Sequence, residues 1–224
     1  MPRSRILQPD RTYTFHSYFE LRFSTADILA ELGYSFSRSY LKLPELTETL
    51  PFIDPLERRI KAYLPYINLN SEAARRETLA APLILEIVSY SQASLEIEYP
   101  ITINNYLKGE LDYYLHKQGS LIVIEAKNSD LTRGFTQLAI ELIALHQWLV
   151  PDESENASEN EAGTESSPSN LLYGAVTTGD IWRFGCYDTQ AKQIIHDLNT
   201  YRVPEDIKMV ASSLTAILQK PITS

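Results

Sequence analysis

The chain has 224 residues, of which 44% are hydrophobic and 22% charged, so it is long enough to bury a sizeable core as one compact domain. Its single cysteine excludes a disulfide framework and favours a reducing compartment. No uninterrupted apolar run reaches the length of a membrane span and no signal-peptide apolar region is visible, so we expect a soluble, cytoplasmic protein without a membrane partner.

The formal net charge of −9 is unevenly distributed along the chain. Residues 151–170 carry six acidic side chains and no basic ones, and their Ser- and Asn-rich composition is typical of a flexible loop. Removing these six charges leaves −3 for the remainder. The candidate phosphate contacts are Arg75, Arg76, Arg133 and Lys108, but each is more simply interpreted as solvated surface charge, because no dense basic stripe marks a nucleic-acid surface.

Residues 1–65 are predicted to form a mainly helical elaboration packed on a core of residues 66–224. Segments 25–32 and 54–63 have helical spacing, and the second closes before a proline. The region is rich in aromatic residues, namely Tyr13, Phe15, Tyr18, Phe19, Phe23, Tyr34, Phe36 and Tyr40. We interpret them as core or as a subunit interface, which would allow a homodimer, with base stacking as the alternative.

The core is predicted to follow the order α-β-β-β-α-β-β, with a closing helix. Asn70 or Ser71 can cap a helix that begins at Glu72, and Pro82 would kink or divide it. Alternation predicts a half-exposed strand, and Gln118-Gly119 predicts a two-residue hairpin turn. The expected segments are a strand at 95–103, hairpin strands at 113–117 and 120–124, a helix at 131–149 with an apolar stripe, strands at 171–177 and 181–187, and a helix at 204–218.

The most informative residues flank the hairpin. Glu125 and Lys127 end its second strand and share one face, because strand side chains alternate. If Lys117 pairs with Ser120, Asp112 lies opposite Glu125 and Glu110 opposite Lys127, with Cβ atoms about 4.5–5.5 Å apart. Adjacent carboxylates repel unless a cation lies between them, and Mg²⁺ typically binds one or two carboxylates plus phosphate and water oxygens. Lys127 alone could also neutralise the pair, and an exposed cross-strand ion-pair cluster is the alternative without chemistry.

Other titratable residues offer no comparable pattern. The four histidines His16, His116, His146 and His196 lack metal-ligand spacing, and surface or core positions are the simpler interpretation. Cys186 has no evident histidine partner nearby in sequence and is predicted to be a small buried residue.

Asp112 followed by Glu125-Ala126-Lys127 at the end of an apolar strand resembles the metal motif of the restriction-endonuclease-like (PD-(D/E)XK) nucleases. Leu111 stands where the nominal motif has proline. The resemblance covers about residues 71–190 in the expected order. The helix from Glu72, the helix carrying Gln137 and the segment 173–184 are similar to the first helix, the following helix and the closing strands of that core.

The resemblance implies an α/β fold with a restriction-endonuclease-like core, in which helices flank a central mixed β-sheet. It further implies an endonuclease that requires Mg²⁺, or Mn²⁺ as a substitute, and hydrolyses phosphodiester bonds of DNA. Its site would comprise Asp112, Glu125, Glu72 and the Ala126 carbonyl as metal ligands, Lys127 to orient water or stabilise charge, and Gln137 to position substrate or the lysine. Glu77, Glu86 and Glu110 are alternatives for the outer roles. The second hypothesis is a catalytically inactive module of this fold that binds nucleic acid or a protein partner.

Overall fold

The computed structural model describes residues 5–127, 130–150 and 170–219. Within them, eight strands form one mixed sheet, and helices cover both of its faces. The strands are β1 (Ser35–Ser39), β2 (Ser94–Thr102), β3 (Lys108–Lys117), β4 (Ser120–Ala126), β5 (Leu171–Thr177), β6 (Ile181–Asp188), β7 (Gln193–Asp197) and β8 (Tyr201–Arg202). The α-helices are α1 (Phe15–Glu20), α2 (Thr25–Glu31), α3 (Ile53–Tyr63), α4 (Glu72–Arg75), α5 (Ala81–Ser91), α6 (Leu131–Leu149) and α7 (Ile207–Gln219).

The strand order is β1-β7-β6-β5-β4-β3-β2, with β8 paired to β6. Strands β2, β3 and β4 form an antiparallel meander, and β4 then pairs in parallel with β5. A parallel pair needs a crossover connection, and α6 provides it. The acidic segment predicted to be a loop falls between α6 and β5, and its residues 151–169 lie outside the described part of the chain.

Alternation along β4 divides the core into two layers. Ile122 and Ile124 pack with the α3, α5 and α7 side, whereas Val123 packs with α1, α2 and α6. The apolar stripe on α6 is buried, and so are all residues from Gly134 to Leu145, because the sheet packs against one side of this helix and α1 and α2 against others. Glu125 follows the parity of Val123 and therefore faces α6.

The hairpin register is confirmed. Lys117 pairs with Ser120, and the pairing continues to Tyr113 with Ile124. Gln118 and Gly119 both have positive φ, 47° and 78°, as a primed two-residue turn requires.

Several elements differ from expectation, and α1, β1, β7 and β8 were not predicted. The helix predicted from 204 begins at Ile207, because residues before it form a turn in which the Asp206 carboxylate accepts a hydrogen bond from the Arg202 N–H at 2.8 Å. As predicted, the helix from Glu72 is interrupted before Pro82, by a π-helical turn at 76–80. The Thr78 carbonyl, which lacks the N–H that a residue other than proline would supply at position 82, accepts a hydrogen bond from the Tyr63 hydroxyl. The N-terminal region also contributes a strand, because β1 pairs in parallel with β7.

No helix in residues 5–127, 130–150 and 170–219 is both long and apolar enough to cross a membrane.

Candidate active site at the end of strand β4

The predicted motif residues meet where β4 ends beneath the first turns of α6. The backbone N–H of Ala126 donates a hydrogen bond to Oδ2 of Asp112 at 2.8 Å, so the half-buried Asp112 carboxylate connects β3 to β4 beyond their last paired residues. The paired residues do not extend to Glu110 and Lys127. The Lys127 ammonium instead contacts the carboxylate of Glu125.

Glu125 is the centre of a buried polar network and is only 1% exposed. The Gln137 side-chain amide donates hydrogen bonds to Oε1 of Glu125 and to Oε1 of Glu141, both at 2.8 Å. Gln137 and Glu141 are one helical turn apart on α6, so both side chains reach the same face of the sheet. The Lys127 ammonium also lies 5.2 Å from the ring centre of Phe19 on α1, within cation–π range.

Two carboxyls buried side by side cannot both ionise readily. Burial first, and then mutual repulsion, raise the pKa of Glu125, and burial raises the pKa of Glu141 to about 7. Both shifts favour the protonated form of a carboxyl in this pair. Oε1 of Glu125 is contacted by both Lys127 and Gln137, whereas Oε1 of Glu141 has the Gln137 donor.

Asp112 lies at the outer side of this network. Burial raises the pKa of its carboxyl, the hydrogen bond from Ala126 and the charge of Lys127 oppose that rise, and the charge of Glu72 adds to it. Glu72 lies at the start of α4 and acts on Asp112 through its negative charge. Its half-buried side chain forms no hydrogen bond with a described residue. Arg76 provides a further positive charge near Asp112.

The Lys127 side chain is charged and closely packed. Burial lowers the pKa of Lys127, but the charge and hydrogen bond of Glu125 outweigh it, so the pKa is raised overall. Gly134 makes room for this side chain, because a Cβ atom there would lie 3.0 Å from Cγ of Lys127 and 2.8 Å from Val176. A larger residue at this position would push α6 away from the ends of β4 and β5.

The structure thus brings together Asp112, Glu125, Ala126, Lys127 and Gln137. The alternative of an exposed ion-pair cluster is wrong, since Glu125 and Lys127 are both buried. Sequence reasoning missed Glu141 as a member of the site. The available signal was its position four residues after Gln137 in a helix, on an otherwise apolar face.

The carboxylates supply a partial ligand set for a metal ion. Among the described residues, no group of three or more His, Cys, Asp or Glu is placed to hold a metal. However, Oδ1 of Asp112 and Oε2 of Glu125 accept no N–H donor within this part of the chain. Two carboxylates suit Mg²⁺, which takes its other ligands from water and substrate phosphate, and do not suit a metal that needs a closed protein cage.

Comparisons of the chain with protein-family models, curated proteins and solved structures return no significant match.

Proposed function

We propose that the chain is a metal-dependent nuclease that hydrolyses phosphodiester bonds of DNA. The observation that carries the proposal is the hydrogen bond of Asp112 to the Ala126 N–H, next in sequence to buried Glu125, with the Lys127 ammonium on Glu125. Burying a carboxylate and an ammonium costs several kcal/mol per ion, and charged groups held in this way cluster at functional sites. A nuclease site needs this combination, because it must hold a cation and stabilise a growing negative charge.

The order of elements supports a restriction-endonuclease-like core as part of this proposal. The helix carrying Glu72 precedes the meander β2-β3-β4, and α6 with Gln137 crosses to the parallel strand β5. The crossover helix of that core supports the proposal most directly: α6 contacts both β4 and β5, and its Gln137 is hydrogen-bonded to Glu125.

The chemistry follows from the roles that these residues can take. A Mg²⁺ ion held by Asp112 and Glu125 would supply a Lewis acid that polarises a phosphoryl oxygen. Lys127 would orient the attacking water or stabilise the negative charge that develops on the phosphate. Gln137 fixes the Glu125 carboxylate in one orientation through its amide N–H, and burial raises the pKa of the neighbouring Glu141 carboxyl to about 7.

Metal-dependent cleavage by matched variants tests the proposal. The wild type should cleave plasmid or single-stranded DNA with Mg²⁺ or Mn²⁺ and not with EDTA. Asp112→Asn keeps an oxygen for the Ala126 N–H but removes the charge, and should abolish cleavage, as should Lys127→Ala. Asp54→Asn, on α3 against the opposite face of the sheet, removes the same charge and should leave cleavage unchanged.

Circular dichroism should show the native fold in each variant before its activity is compared. Wild-type cleavage rates in both Asp112→Asn and Lys127→Ala would refute the assignment. A wild type that neither cleaves DNA nor binds Mn²⁺, measured by electron paramagnetic resonance, would favour the inactive module instead.

A further inference from the structure

Three basic side chains lie on adjacent strands of the same sheet face. His196 on β7 pairs with Gly185 on β6 and with Arg38 on β1, and Arg183 is two residues before Gly185. Paired residues and residues two apart share a face, so Arg183, His196 and Arg38 point to one side. The Phe135 ring of α6 lies 4.0 Å from the His196 ring, centre to centre, which identifies that side as the α6 face.

This cationic row leads away from the candidate active site. Arg183 pairs with Val176, and Val176 pairs with Glu125. At about 4.8 Å between neighbouring strands, Arg183 is about 10 Å from Glu125 and Arg38 about 20 Å from it across the sheet. In duplex DNA each strand advances about 3.4 Å per phosphate, so the row spans about six nucleotides.

The two arginines have no acidic partner within the described residues. Neither Arg38 nor Arg183 forms an ion pair there, and the Arg38 guanidinium lies 5.7 Å from the ring centre of Phe36. The arginines that the sequence indicated are different, because Arg75 is paired with Asp180 and Arg133 with Asp130.

Both guanidiniums approach the buried ring of His196. Burial first, and then the charges of Arg183 and Arg38, lower the pKa of His196 to about 4, so the ring is neutral at physiological pH. Its Nε2 has no hydrogen-bond partner among the described residues. The positive charges of Arg183 and Arg38, on either side of the uncharged His196 ring, repel each other. An anion bound from solution between them would relieve that repulsion.

We propose that Arg183 and Arg38 bind backbone phosphates of the DNA strand whose scissile phosphate lies at Glu125 and Lys127. The strand would then run along the edge of the sheet at which β4 and β5 end, past Arg183 near the start of β6 and towards Arg38 near the end of β1. This inference rests on the proposed nuclease function, because it uses the active site as the origin of the path. Because Arg183 and Arg38 would contact phosphates, they would position the DNA without reading its sequence.

Salt-dependent binding tests the path separately from cleavage. Fluorescence anisotropy with labelled duplex and single-stranded oligonucleotides in EDTA would measure affinity between 50 and 200 mM salt. Each phosphate contact adds about 0.9 to the slope of log affinity against log salt on duplex DNA. Arg38→Gln and Arg183→Gln should each reduce the magnitude of that slope by about 1. Between 50 and 200 mM salt, the wild type should therefore lose about tenfold more affinity than the double variant.

Two further variants separate charge from structure. Arg183→Lys keeps the charge and should retain the wild-type slope, which a merely structural role would not predict. Arg58→Gln removes an exposed charge from α3, against the opposite face of the sheet, and should leave the slope unchanged. Melting temperatures of the variants would verify that each is folded.

The outcomes distinguish this inference from the nuclease assignment. A double variant with the wild-type slope, or an Arg58→Gln variant as impaired as the double variant, would overturn the phosphate path even if Asp112→Asn abolishes cleavage. A reduced slope in the double variant would support the path even if the wild type cleaves nothing. Binding of RNA but not DNA by the wild type would overturn the choice of DNA.

Discussion

Replacing Glu141 by glutamine should make the protein more stable at alkaline pH. The Glu141 carboxyl is fully buried beside Glu125, and its pKa of about 7 compares with 4.5 for an unperturbed glutamate. At 1.36 kcal/mol per pKa unit, deprotonating this group in the folded state costs about 3 kcal/mol more than in the unfolded state. The folded state binds the proton more tightly, so stability should fall as pH rises from about 4.5 to about 7 and stay low above it.

Glutamine has the shape of the protonated acid and cannot ionise. Urea denaturation of wild type and Glu141→Gln at pH 5, 6, 7 and 8 would give the free energy of unfolding of each. The variant should gain up to about 3 kcal/mol over the wild type between pH 5 and pH 8. Glu57→Gln, on the far side of the sheet, is the control and should show no such gain. Parallel pH profiles of wild type and Glu141→Gln would show that burial does not raise the pKa of Glu141, which would refute the prediction.

Three further predictions concern packing and reactivity. Gly185→Ala should destabilise the fold by about 1–3 kcal/mol, because its Cβ would lie 2.5 Å from the Phe135 ring. Gly174→Ala should cost less, because a Cβ there meets the end of a leucine side chain; equal melting temperatures of the two variants would contradict this. Cys186 is buried with its pKa raised to about 11, so its thiol should resist alkylation at pH 8 until urea unfolds the chain, as mass spectrometry would show; rapid labelling of native protein would contradict its burial. Tyr18→Phe should lower the free energy of unfolding in urea by about 1–3 kcal/mol, because the Tyr18 hydroxyl donates a 2.7 Å hydrogen bond to the Tyr106 carbonyl. An unchanged unfolding midpoint would contradict this.

Local patterns were enough to predict the central part of the fold. The hairpin register follows from a two-residue turn and the alternation on each side of it, and the structure has the same pairing from Lys117 with Ser120 onward. The stripe on α6 and its amide at Gln137 were likewise visible, because helical periodicity needs only neighbouring residues. These are features in which each residue's partner is close in sequence.

Features with distant partners were not predictable in this way. Strand β1 was missed, since it pairs with β7 more than 150 residues later and its short polar sequence has no clear alternation. The burial of Glu141 depends on α6 packing against β4, and periodicity cannot tell a buried glutamate from one at the edge of an apolar stripe.

The sequence by itself determined the hairpin, the helix after it and the carboxylate–lysine pair at the end of β4. Only the tertiary structure decided that Glu125 and Glu141 are buried side by side with raised pKa values and that Arg183 and Arg38 lie in line with the site. The physical reason is the range of the interactions. Turn geometry and side-chain alternation act over a few residues, whereas burial, pKa and the grouping of charges depend on which distant segments the sheet places side by side.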